Sequence, residues 1–336
     1  MRFKLILGSV FLILGNTFAN PIEILFIGNS FTHMNQMPKT FEKVATSLGQ
    51  NVYVEMNAKS NHSLKMHTER PELFTAIRSR KWDFVIIQPF SRELIFSEDS
   101  VERATIPYLK QLLDSVYANN ACTNVLLYQT WGYKNGTTED SLSNTYDRMS
   151  NRIREGAMRI SDRFGLPVVP VGMVWDQVLK LGYGTGLYDA DGSHPSPEGS
   201  YLIASTFYVA LFKKELKDAF TAGIAPEKVA AIQKTAYDFV LTNVDEYKLR
   251  KDSYVVFKVF SKQAKAKILC KAYFSNADSL KWDFGDGKRS TDSIVEHSFA
   301  DYGKYTVKLT VYEECGIREY LSPVEFVRPQ KPKKKK

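Results

Sequence analysis

Three side chains in this 336-residue sequence have the types and the setting for nucleophilic chemistry. Ser30 ends the apolar run EILFIGNSFTHM (23–34), where a strand-like segment turns polar at Gly28-Asn29-Ser30. Asp191 and His194 lie three residues apart in DADGSHPSPEGS (189–200), a loop rich in Gly, Pro and Ser. A serine hydroxyl is a poor nucleophile until a base takes its proton, and the base needs a carboxylate to orient it. One loop can present both an imidazole and the carboxylate that fixes its tautomer. A serine at a strand-to-helix turn gains more: its own N–H can face a developing oxyanion, and a helix N-terminus favours negative charge. Each feature alone is ordinary, since serine is a common helix N-cap and Asp-x-x-His recurs by chance.

The elements that must position these residues alternate. Short apolar runs, IEILFI (22–27), VYVEM (52–56), WDFVIIQ (82–88), NVLLYQ (124–129) and PVVPV (167–171), read as strands. Helical stretches separate them at 37–48, 70–80, 99–117, 143–164 and 174–181. Near-continuous apolar strands alternating with helices predict a three-layer α/β/α domain on a parallel sheet. Ligands bind such sheets at the carboxyl ends of the strands, and Ser30, Gln88 and Trp131 all fall there. The Asp191–His194 loop runs into a last helix, with Pro197 in its first turn and Leu202, Ala204, Phe207 and Leu211 as its apolar stripe. Ser30 after the first strand and His194 before the last helix are thereby expected at one end of the sheet. One or two further helices over 214–250 extend this domain, expected to span 20–250.

Composition bounds the class. At 44% hydrophobic residues the chain is globular rather than disordered. Residues 1–19 read as an export signal: Arg2 and Lys4 precede an apolar Leu5–Leu14 too short to span a bilayer, and Thr17-Phe18-Ala19 ends it. The alternative is a permanent anchor. Export predicts a periplasmic or extracellular protein. The formal charge of +8 does not mark a nucleic-acid binder: Arg2, Lys4, Arg328, Lys331 and Lys333 to Lys336 carry all of the excess, and the body is balanced. The tail 329–336 is expected to be solvated. Of the three cysteines, Cys270 and Cys315 lie close enough in sequence to pair, which leaves Cys122 over.

GNSFT (28–32) after the first strand and DGSHPSPEG (191–199) before the last helix together resemble the SGNH (GDSL-like) hydrolases. The resemblance covers about 22–213 and implies a flavodoxin-like fold, with Ser30 as nucleophile, His194 as general base and Asp191 as its orienting acid. It also implies oxyanion donors from a glycine after the second strand and an asparagine in G-x-N-D after the third. This chain has NAKSNHSLKMH (57–67) and VIIQPFSREL (85–94) there, with neither feature. Ser30 itself, Gln88, Ser60 and Asn61 are the candidate donors; for Gln88 the alternative is a buried amide satisfying loop carbonyls. Trp131 and Tyr133 of QTWGY (129–133) are candidate stacking groups for a sugar or acyl moiety, or else packing residues. His33 either borders the pocket or caps the turn. His62 and His67, with Asn61 and Glu69, have loose metal-ligand chemistry, but a spacing of five is not that of a helical zinc pair. No metal and no cofactor is expected, and no phosphate-binding glycine loop is present.

From residue 253 the pattern changes to alternating strands with closely spaced turns, an all-β sandwich. LKWDFGDGKRSTDSIVEHSFADYGKYTVKLTV (280–311) resembles a PKD domain, an immunoglobulin-like module, over about 253–328. Trp282 and Phe284 are expected in its core, Gly285-Asp286-Gly287 in a tight turn, and His297, Phe299, Gly303 and Tyr305 in the structural pattern. Asp283 and Asp286 are turn residues before they are calcium ligands. Such a module acts as a spacer or as a glycan or protein binder.

The expected function is a secreted serine esterase acting on O-acyl, above all O-acetyl, esters of an extracellular carbohydrate. The alternatives are a non-catalytic glycan-binding protein on the same fold, and a lipase or thioesterase.

Overall fold

The structure, a computed structural model, describes residues 21–183, 186–249, 253–260, 266–274, 277–313 and 316–327. The expected signal segment 1–19, the tail 329–336 and Cys315 lie outside the described residues. The chain divides into two compact units at Thr242/Asn243.

The first unit alternates as its apolar runs require. In order it comprises β1 (Ile22–Gly28), α1 (Ser30–His33), α2 (Met37–Ser47), β2 (Val52–Ala58), α3 (Leu64–Thr68), α4 (Pro71–Arg78), β3 (Phe84–Ile87) and α5 (Ser91–Leu94). There follow α6 (Glu98–Ala104), α7 (Ile106–Asn119), β4 (Asn124–Tyr128), α8 (Tyr146–Phe164), β5 (Val168–Val169), α9 (Val171–Lys180), α10 (Pro197–Phe212) and α11 (Pro226–Thr242). The five strands form one parallel sheet in the order β2-β1-β3-β4-β5. The central strands are apolar on both faces because both are covered: Ile24, Leu25, Phe26 and Ile27 are all fully buried. Helices α2, α9, α10 and α11 pack among themselves, and α3 to α8 form a second group. Phe26 meets Phe41 of α2 and Phe207 of α10 edge to face, at 5.7 and 5.1 Å between ring centroids. Helix α10 is buried on nearly every side, more than one apolar stripe provides, so it acts as a core helix.

The expected helix over 99–117 is two helices. Pro107 has no N–H and its ring clashes with the preceding turn, so the chain breaks at Thr105 and α7 restarts with proline in its first turn. The one-turn helices α1, α3 and α5 follow β1, β2 and β3 and are too short to show a period. No helix of the described residues is long and apolar enough to cross a membrane.

The second unit has two antiparallel sheets. Strands β6 (Ser253–Phe260), β7 (Lys267–Phe274) and β10 (Ile294–Ser298) pair in the order β10-β7-β6. Strands β8 (Ala277–Asp283), β9 (Arg289–Ser290), β11 (Gly303–Glu313) and β12 (Gly316–Phe326) pair in the order β12-β11-β8-β9. Trp282, Phe284, Ile268, Phe299 and Leu309 fill the core. Gly285 and Gly287 take φ of 76° and 86°, the left-handed region that glycine enters without cost. Asp283 accepts from Gly285 N–H and Arg289 Nε, and Asp286 accepts from Lys288 N–H and pairs with His297 Nε2 at 2.9 Å. Those carboxylates hold the turn. Cys270 is a free, buried thiol of this core, so the expected pairing with Cys315 is not made.

Candidate active site

The end of β1 is where the site begins. The strand stops at Gly28, whose position admits no side chain: a Cβ there would lie 2.3 Å from Thr32 Oγ1 and 2.6 Å from Gln88 Oε1. Asn29 caps α1, its Oδ1 accepting from Phe31 N–H at 3.1 Å and its Nδ2 donating to His62 O at 3.4 Å. Ser30 is thus the first residue of α1 and is nearly buried. The chain then turns through Asn35, in the left-handed region at φ 52°, whose Nδ2 donates to Pro195 O at 2.8 Å and Ser200 Oγ at 2.9 Å. That side chain ties the first sequence block to the last, across 160 residues.

The last block is shaped by its own carboxylate. Asp191 Oδ1 accepts from Ser193 N–H at 2.8 Å and His194 N–H at 2.9 Å, which closes the loop around it. Its Oδ2 accepts from His194 Nδ1. With Nδ1 donating, Nε2 is the acceptor, and it lies 2.9 Å from Ser30 Oγ. Burial of the Asp191 carboxyl opposes ionisation, but the hydrogen bonds from the His194 ring and the two backbone N–H groups outweigh it. They hold Asp191 well below the usual carboxylate range, so it is charged whenever His194 needs orienting. Ser30, His194 and Asp191 therefore form one hydrogen-bonded line.

The aromatic residues lie beneath this line. Trp131 is fully buried between Phe31, at 4.7 Å and nearly parallel, and Trp175, at 4.0 Å. Its Nε1 donates to Ser193 O at 3.1 Å. The expectation that Trp131 stacks on a sugar or acyl group is corrected: both ring faces are covered by other rings. It is the floor on which the His194 loop rests. Tyr133 is partly exposed, meets Phe31 edge to face at 6.1 Å, and its hydroxyl makes no hydrogen bond among the described residues. Of the QTWGY pair, it alone can meet a substrate.

The candidate oxyanion donors separate. Ser30 N–H has no acceptor among the described residues, whereas Phe31 N–H goes to Asn29 Oδ1 and Thr32 and His33 N–H go to Asn29 O. Gln88 sits at the expected strand end, but it presents its acceptor to the Ser30 turn: Oε1 accepts from Asn29 N–H and Thr32 Oγ1, and one Nε2 hydrogen goes to Pro89 O. The expectation that Gln88 donates to the oxyanion is corrected accordingly; it is the buried amide of the alternative. Ser60 Oγ shares a 2.7 Å hydrogen bond with His33 Nε2, so neither hydroxyl nor ring is a free surface group. His33 is pushed down in pKa, by burial and by the nearby His194, against a backbone hydrogen bond that raises it. Asn61 takes φ 58°, the left-handed conformation that glycine usually fills. The N–H groups of Ser60 and Asn61 make no hydrogen bond among the described residues.

His67 is no metal ligand. It is fully buried, Nε2 donates to Gly28 O at 2.9 Å, and Nδ1 accepts from Arg70 at 3.1 Å. Burial and the neighbouring Arg70 push its pKa down to about 4, so it is neutral and both nitrogens are occupied. Among the described residues no group of three His, Cys, Asp or Glu could hold a metal ion.

Glu93 gives no signal in the sequence, because a single glutamate in a one-turn helix has no period. Burial raises its carboxyl to about 7, against hydrogen bonds from the Phe90 and Leu64 backbone and the Ser63 hydroxyl, and its Oε2 has no partner among the described residues. The folded value lies above the unfolded one of about 4.3. The stabilising contribution of the neutral carboxyl is therefore whole below pH about 4.3 and is lost as pH rises through about 7. Glu93→Gln is expected to raise the unfolding free energy by about 2–3 kcal/mol at pH 8 and by little at pH 4. Urea unfolding at both pH values checks this; an equal gain at both would contradict it.

Residues 270–326 match the family described as "PKD domain". A DUF4886-family protein from Bacteroides uniformis shares the fold of the first unit: TM-score 0.55 at 20% identity, covering 66% of this chain and 95% of that one. A putative SGNH hydrolase from Slackia heliotrinireducens aligns at 26% identity and TM-score 0.45, over 55% of this chain and 96% of that one. An acetyl xylan esterase from Geobacillus stearothermophilus aligns at 17% identity and TM-score 0.40, over 60% of this chain and 96% of that one. The parallel sheet in the order β2-β1-β3-β4-β5 carries GNSFT after its first strand and DGSHPSPEG before α10. The first unit therefore has the fold of that DUF4886-family protein, and residues 270–326 of the second match a PKD domain.

Proposed function

We propose that this protein is an exported serine esterase that removes small acyl groups, acetyl first among them, from an extracellular carbohydrate. The observation that carries it is the 2.9 Å contact between Ser30 Oγ and His194 Nε2, with Asp191 behind the ring. His194 Nε2 takes the Ser30 proton as Oγ attacks the ester carbonyl carbon. The oxyanion that forms meets the unbonded Ser30 N–H and the N–H groups of the Ser60–Asn61 turn. The tetrahedral species collapses, the carbon–oxygen bond to the sugar breaks, and His194 returns its proton to the leaving alcohol. Water, deprotonated by His194, then hydrolyses the acyl–Ser30 ester to a carboxylate and free serine. Asp191, held ionised, stabilises the imidazolium in both halves. Tyr133 is the group placed to touch the substrate beside the triad.

The carbohydrate part rests on the expected export signal and on the appended PKD domain, and an acyl group on a polymer needs no deep apolar groove. The test is acetate release from acetylated xylan and acetylated pectin, with p-nitrophenyl acetate as a small control, by wild type and Ser30→Ala. Turnover by wild type alone supports the reading. Equal turnover by both, or none by either, ends it.

A further inference from the structure

The five N–H groups from Asn29 to His33 have an uneven fate. Four have acceptors, and the one left over belongs to Ser30. The first of the four, Asn29 N–H, is taken by Gln88 Oε1 at 2.9 Å, and the same oxygen accepts Thr32 Oγ1–H at 3.0 Å. Gln88 is buried to 1% exposure, and its Nε2 donates to Pro89 O at 2.9 Å, which fixes which end of the amide faces the turn. Its backbone N–H donates to Ile27 O at 2.8 Å, so the side chain springs from the strand paired with β1. Gln88 Oε1 thus bridges the residue before Ser30 to the residue two after it. Opposite this clamp, Gly28 O accepts from His67 Nε2 at 2.9 Å and from Lys59 N–H at 3.0 Å.

We infer that Gln88 is a positioning residue for the nucleophile, acting through its acceptor oxygen and not as a donor to the oxyanion. The inference rests on the serine-esterase reading. By holding Asn29 N–H and Thr32 Oγ1 it fixes the rotation of the turn, and so the direction of both Ser30 Oγ and the unbonded Ser30 N–H. Misplacement of a reacting group by about 1 Å costs up to about a hundredfold in rate. Loss of this clamp therefore acts on the chemical step and leaves substrate contacts alone.

Three variants test it on the full chain with p-nitrophenyl acetate. Gln88→Met keeps volume and removes the acceptor; Thr32→Val removes one of its two donors; Gln88→Glu, neutral when buried, keeps a carbonyl acceptor and an O–H for Pro89. Gln88→Met is expected to lower kcat by about 10- to 100-fold with KM within about twofold, and to slow fluorophosphonate labelling of Ser30 in parallel. Thr32→Val is expected to act in the same direction and to add little to Gln88→Met, because both break the same Thr32–Gln88 hydrogen bond. Gln88→Glu below pH 7 is expected to retain more activity than Gln88→Met. Wild-type kcat in Gln88→Met, or additive effects of the two substitutions, would overturn the inference, as would equal loss in the glutamate and methionine variants. If Gln88→Met does not fold, Thr32→Val with an unchanged kcat overturns it alone. A wild-type protein that never labels at Ser30 would instead sink the esterase reading itself.

Discussion

Replacing His194 with alanine is expected to lower kcat for p-nitrophenyl acetate by about 10⁴- to 10⁶-fold. Ser30→Ala should fall in the same range, and the double variant should be no worse than either single. Residues that act as one unit fail together, because a nucleophile without its base and a base without its nucleophile do the same residual chemistry. Asp191→Asn carries a more specific expectation. Asp191 Oδ1 already accepts the N–H groups of Ser193 and His194, so an asparagine there keeps its oxygen on them and turns its NH₂ toward His194 Nδ1. Nδ1 must then be the acceptor, the ring proton moves to Nε2, and Nε2 can no longer receive the Ser30 proton. A loss of about 10⁴-fold with an unchanged fold follows. Steady-state kinetics with circular dichroism on the four variants checks both statements, and additive losses in the double variant would contradict them.

Trp131 carries the second large effect. Trp131→Ala empties the space between Phe31 and Trp175 and is expected to cost about 3–5 kcal/mol of stability. Trp131→Phe separates packing from hydrogen bonding, since it keeps a ring in the stack and removes the N–H that meets Ser193 O. It is expected to cost about 1–3 kcal/mol and to lower kcat more than it raises KM, because the Asp191–His194 loop loses its anchor. Urea unfolding beside steady-state kinetics measures both. A substrate platform would behave oppositely, with KM rising and stability unchanged.

What the sequence displays and what it hides divide along one line. Alternation of apolar runs reveals the sheet, because each central strand must be apolar on both faces. The Ser30 and Asp191–His194 blocks are visible because each is local: a strand end, and a loop folded on its own carboxylate. Trp131 was ambiguous, since the ring that covers its far face, Trp175, comes from α9, 44 residues later. Gln88 and His67 belong to the same class; they reach the Ser30 turn only because β1 lies beside β3 and α3 follows β2. Asn61 hides its left-handed position, because an asparagine does not mark a positive φ as plainly as a glycine does. The break at Thr105 is legible in Pro107, although the helical period over 99–117 runs on through it.

The central claim is that Ser30 is a nucleophile activated by His194. The most direct measurement is reaction of the full chain with a fluorophosphonate probe, followed by mass-spectrometric mapping of the labelled peptide. One phosphonyl group on Ser30 in wild type, lost in folded His194→Ala, is the predicted result. A folded protein that stays unlabelled, or that carries the label on another serine, would contradict it.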